Sequence, residues 1–142
     1  MRDLIRLPRW RGRLDTVLDE YRRTAFDWKT FNCGHLAHSC VLAVTGVSLA
    51  RTVLGKARSL PTAVSAVRKA GFDNLGDYGA SLLPEIHPSR ANVGDIAAIP
   101  KDGPLGYSLG VVTGERIFVI GQDFDGLGTV DLLDATRAFK VG

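Results

Sequence analysis

Cys33 is the residue of this chain best suited to nucleophilic chemistry, because of where the local pattern puts it. Asn32 precedes it and can cap a helix by accepting from the backbone N–H groups of the next turn. Leu36, Ala37, Cys40, Val41 and Val44 then follow at helical spacing, up to Gly46, a residue type that suits a helix C-terminus. Cys33 is therefore expected to begin a mostly buried helix. A thiol there feels the positive end of the helix macrodipole and unpaired N–H groups, which stabilise a thiolate and a developing oxyanion. A cysteine nucleophile also needs an adjacent base, typically histidine, and the chain has three. At 100° per residue His35 lies about 200° and His38 about 140° around the helix axis from Cys33, so neither shares its face. His87, in the loop Pro84-Glu85-Ile86-His87-Pro88, is the remaining candidate partner, against the plainer reading of a surface histidine. Without a base, Cys33 reads as a small buried residue.

Other chemistries find less support. His35 and His38 stand at i, i+3 but lack a carboxylate partner, so no metal site is expected. Cys33 and Cys40, seven apart on one helix, have Cα atoms about 10 Å apart, beyond the roughly 7 Å reach of a disulfide. No phosphate loop, dinucleotide fingerprint or paired-carboxylate pattern occurs, and no cofactor is expected.

The elements that would hold Cys33 in place are legible in outline. In 142 residues with 45% hydrophobic content there is material for one core. Leu14, Val17, Leu18 and Tyr21 have the spacing of an amphipathic helix beginning at Leu14. Pro61 to Ala70, stopped by Gly71, predicts a short helix with Arg68 and Lys69 in its last turn, and residues 76–83 carry a weaker helical signal. Beyond residue 92 the pattern changes to strands. Gly94–Pro100, Ser108–Thr113 and Arg116–Ile120 are short apolar runs, the last two joined by a tight Gly114-Glu115 turn, and Thr129–Leu133 and Ala138–Val141 follow. Helices first and strands later imply an α+β domain with an antiparallel sheet.

Residues 1–13 are read as a basic N-terminal arm ahead of a domain spanning 14–142. Five of the first thirteen residues are arginine, against a net charge of only +3 for the chain. They alternate with Leu4, Ile5, Leu7 and Trp10, and Pro8 argues against an unbroken helix. Trp and Arg are enriched among interface hot spots, so Arg6, Arg9, Trp10 and Arg11 are the candidate partner-binding residues, with a protein rather than nucleic acid as the expected partner. Trp28 is expected to pack rather than to stack on bases. No apolar run approaches the roughly 20 residues of a membrane span, and the arginine-broken N-terminus lacks the form of a signal peptide.

The order of these features resembles the NlpC/P60 (papain-like) cell-wall peptidases. Those enzymes place an Asp-Cys-Ser-Gly-Phe type motif at a helix start, a Pro-Gly-Asp-Leu strand, and His-Val-Gly-Ile on the next strand. Asn32-Cys33-Gly34-His35-Leu36, Val93-Gly94-Asp95-Ile96 and Ser108-Leu109-Gly110-Val111 are similar to these in order and spacing, over roughly residues 24–121. A closer similarity is to short proteins of bacteriophage tail gene clusters, carried by Phe26-Asp27-Trp28, Asn32-Cys33, the Gly110–Arg116 hairpin, Gly121 and Ala138-Phe139-Lys140-Val141. Two departures stand out: Asn32 replaces the usual Asp, and Ser108 occupies the histidine position. The resemblance implies N-terminal helices packed on a C-terminal antiparallel sheet. It also implies a structural or assembly role in a tail tip or baseplate among other tail proteins, in a virion component made in the host cytoplasm. The alternative it leaves is a peptidoglycan-cleaving cysteine peptidase using Cys33.

Overall fold

The computed structural model describes residues 4–49, 57–121 and 126–142. Among them lie four α-helices, α1 (Trp10–Tyr21), α2 (Cys33–Thr45), α3 (Leu60–Lys69) and α4 (Leu75–Leu82). Six strands follow: β1 (Glu85–Ile86), β2 (Ile96–Pro100), β3 (Tyr107–Val112), β4 (Arg116–Val119), β5 (Gly128–Asp131) and β6 (Arg137–Phe139). They form one antiparallel sheet in the order β1-β6-β2-β3-β4-β5. The protein is thus α+β, with its helices preceding its strands. None of the described helices is long and apolar enough to cross a membrane.

Strand alternation divides the core into two. Ile96, Ala98, Leu109, Val111 and Phe139 turn toward the helices and bury themselves with Leu36, Cys40, Val41 and Val44 of α2. Their neighbours Ala97, Val112, Ile117 and Val119 form a smaller cluster on the opposite face with Ala135. Period-2 side-chain alternation makes this division unavoidable once the register is set. The register is set by the Gly114-Glu115 turn, which pairs Val112 with Ile117 and Val111 with Phe118 and lets the Thr113 N–H donate to the Arg116 carbonyl at 2.8 Å. Gly110 sits inside β3 because a Cβ there would come within 2.5 Å of the Ile117 side chain.

The N-terminal segment departs from its sequence reading. The first helix begins at Trp10, one turn before the expected Leu14, and residues 4–9 lie against the domain. The Leu7 N–H donates to the Val44 carbonyl, and the Arg13 Nε donates to the Ala43 carbonyl, fastening the segment to the end of α2. The Arg6 guanidinium donates to the carbonyls of Val141 and Val93 and to the carboxylate of Asp95, and it lies 4.2 Å from the centre of the Trp10 ring. Asp95 is 1% exposed and also accepts from the N–H groups of Val141 and Asn92. One carboxylate thus ties together the chain's beginning, the entry to β2 and the chain's end. Spacing could not reveal this, because a buried arginine and a solvated one look alike in sequence.

Candidate functional site

Cys33 is the first residue of α2, and its cap is more elaborate than a single side-chain contact. The Asn32 side chain is fully buried and accepts from the N–H groups of Gly34 and His35, at 2.9 and 3.2 Å, while donating to the Trp28 carbonyl. His35 returns the contact, its Nδ1 accepting from the Asn32 N–H at 3.0 Å. The two side chains form a reciprocal capping box, with imidazole in the place more often taken by Glu or Gln. His35 is therefore a structural cap. The same contacts occupy two N–H groups of the first turn that could otherwise meet an oxyanion.

Cys33 is 9% exposed and lines a cleft of about 290 Å³. One wall is aromatic, with Phe26 and Trp28 edge to face, their ring centres 5.3 Å apart. The β2–β3 hairpin from Lys101 to Ser108 also lines it, together with Leu60, Ile120 and Gly121. The hairpin is braced at its base, where the Lys101 N–H donates to the Gly106 carbonyl, and against α4, where the Leu75 N–H donates to the Leu105 carbonyl.

Beside the thiol stand the Ser108 hydroxyl and the Leu109 N–H. Burial pushes the Cys33 thiol up, and the Leu109 N–H, the Lys101 charge and the Ser108 hydroxyl lower it by less than burial raises it. Cys40, two turns further along the same face of α2, is pushed up to about 12 by burial alone. Neither cysteine is disulfide-bonded. The site holds a protonated thiol beside a hydroxyl that cannot act as a base near neutral pH.

The other histidines are elsewhere. His38 turns into a small apolar space between α2 and α4, and its Nδ1 is buried without a hydrogen-bond partner among the described residues. His87 follows β1, and the strand order places it three strand spacings from β3, about 14 Å at the usual inter-strand distance. Its Nδ1 pairs with the Ser89 hydroxyl at 2.7 Å and caps the short turn Pro88–Arg90. The structure thus does not bring His87 to Cys33. No group of three or more metal-ligating side chains occurs among the described residues.

The four candidate partner-binding residues separate into two pairs. Arg6 and Trp10 face each other and the domain, whereas Arg9 and Arg11 are exposed, as is Ile5, at 82%. Lys101, Leu105 and Leu60 line the cleft without having been singled out in the sequence. Only the position of Ser108 pointed toward that hairpin. No curated protein and no solved structure matches the chain. A family model does match over residues 5–141, and on that match the chain belongs to DUF6950, a domain family of unknown function.

Proposed function

We propose that the protein is a non-catalytic structural or assembly component of a bacteriophage tail tip or baseplate, built on an NlpC/P60-like scaffold. The observation that carries the reading is the Ser108 hydroxyl beside Cys33, at the position where the peptidases that the sequence resembles carry their base. Three further features support it. Burial holds the thiol protonated, the Asn32–His35 box consumes first-turn N–H groups, and no histidine lines the cleft. A papain-like cleft without a histidine base retains shape and apolar surface, which are the properties of a binding module.

Ile5, Arg9 and Arg11 offer the outward contact surface, since Arg6 and Trp10 are engaged within the domain. Arg9 is held at φ 63°, a left-handed conformation unusual for a non-glycine residue. The reading is tested by recovering tail particles assembled from a complete tail gene cluster. The chain should copurify with the tip, and Ile5→Asp with Arg9→Glu and Arg11→Glu should reduce its incorporation at least several-fold. Complete particles lacking the chain, with the chain free in the lysate, would overturn the proposal. The competing reading, a peptidoglycan-cleaving peptidase, is favoured by Cys33 beginning a helix and lining an open cleft.

A further inference from the structure

The cleft above Cys33 has a chemical character that its shape alone does not convey. Its lining is largely apolar and aromatic, from Phe26, Trp28, Leu60, Leu105 and Ile120, and it carries one cation, Lys101. Lys101 forms no ion pair among the described residues, in contrast to Arg6, Arg11, Arg22, Arg116 and Arg137. Asp102 also lines the cleft, but it is the Lys101 charge that reaches the thiol. An unpaired ammonium beside an apolar seat selects a carboxylate joined to an apolar body, since the charge-assisted contact adds to the area buried. A volume of about 290 Å³ holds a single residue rather than a folded element.

We propose that this cleft binds the C-terminal residue of a partner chain, an aromatic or branched aliphatic side chain lying against Phe26 and Trp28 and the terminal carboxylate meeting Lys101. The inference rests on the non-catalytic reading of the cleft and adds the chemistry of what occupies it. Bracing of the hairpin through Gly106 and Leu105 preorganises the seat, so little ordering cost is added on binding.

The test uses the full chain, labelled with nitrogen-15, with the Trp28 indole assigned through Trp28→Phe. N-acetyl-phenylalanine stands for a chain end and N-acetyl-phenylalanine amide for an internal residue. The acid should shift the Trp28 indole and the Ser108 N–H and bind about threefold more tightly than the amide, as one charge-assisted contact to the exposed Lys101 ammonium implies. Lys101→Met should abolish that preference while leaving the Trp10 indole, and hence the fold around Arg6, unmoved. Equal binding of acid and amide, no shift with either at tens of millimolar, or a preference that survives Lys101→Met would overturn the inference. Conversion of the amide to the acid, lost in Cys33→Ala, would instead overturn the non-catalytic reading beneath it.

Discussion

At Cys33 two effects oppose one another: burial disfavours thiolate, and the Leu109 N–H and the Lys101 charge favour it less strongly. The thiol should therefore react slowly with iodoacetamide in the native protein, and faster by orders of magnitude after unfolding in urea. Ser108→His would place an imidazole where the hydroxyl now meets the sulfur. Alkylation at pH 7 should then accelerate at least tenfold, with a titration midpoint below that of the parent, because an ion pair with imidazolium stabilises thiolate. An unchanged rate and midpoint in a folded Ser108→His variant would mean that position 108 does not face the thiol. The place of Cys33 at the start of a helix and of Ser108 at the start of a strand were both legible in sequence. The capping role of His35 was not, because helical angles exclude it as a partner for Cys33 without saying what it does bond. Arg9 gives a second test at this scale. It precedes α1 in a left-handed conformation with no side-chain cap, so Arg9→Gly should stabilise the domain by up to about 1 kcal/mol in urea titrations. A loss of stability would contradict that account of the turn.

Among the elements, the helices were the most legible, because each carries its own boundary chemistry. Ser59 and Thr62 cap α3 reciprocally, with Pro61 in its first turn, and Gly46 closes α2 at φ 73°. The strands in the hairpin were equally clear, but two-residue β1 and the 75–82 boundaries of α4 were not, since neither has a sustained period. The start of α1 was misplaced because its first turn, Trp10-Arg11-Gly12-Arg13, carries the charge of an arm. What makes that turn part of the domain is the pair of Arg6 and Asp95, side chains 17% and 1% exposed and 3.0 Å apart. Removing one partner leaves the other charge buried, so Arg6→Ala and Asp95→Ala should each cost about 3–5 kcal/mol. The double variant should cost less than the sum of the two. Additive losses, or single losses under about 1 kcal/mol, would show that the N-terminal segment is an attachment rather than part of the fold. Deletion of residues 1–13 should accordingly lower stability by a similar amount.

For the whole molecule, two buried thiols give a signature in alkali. Folded Cys33 and Cys40 keep their protons to higher pH than the same thiols in the unfolded chain, which titrate near 9.0. Their contribution is therefore complete below pH 9 and is lost as pH rises toward the folded values, by up to about 1.4 kcal/mol per unit for each thiol. Between pH 9 and 10 the urea midpoint should fall, and in Cys40→Ala it should fall less steeply. An identical slope in that variant would mean that Cys40 is accessible to water. The overall order, helices then an antiparallel sheet, was legible because periodicity changes once along the chain. The cleft was not, since it is assembled from four separated stretches of sequence, around residues 26–33, 60, 101–108 and 120–121, that only the fold brings together. Whether that cleft performs chemistry is the central question, and one assay addresses it directly. Purified peptidoglycan fragments are incubated with the native chain and with Cys33→Ala, and released peptides are followed by mass spectrometry. A cleft with a protonated thiol and the Ser108 hydroxyl, not a histidine, beside it predicts the same absence of products from both. Release of peptide stems by the native chain that disappears in Cys33→Ala would contradict it.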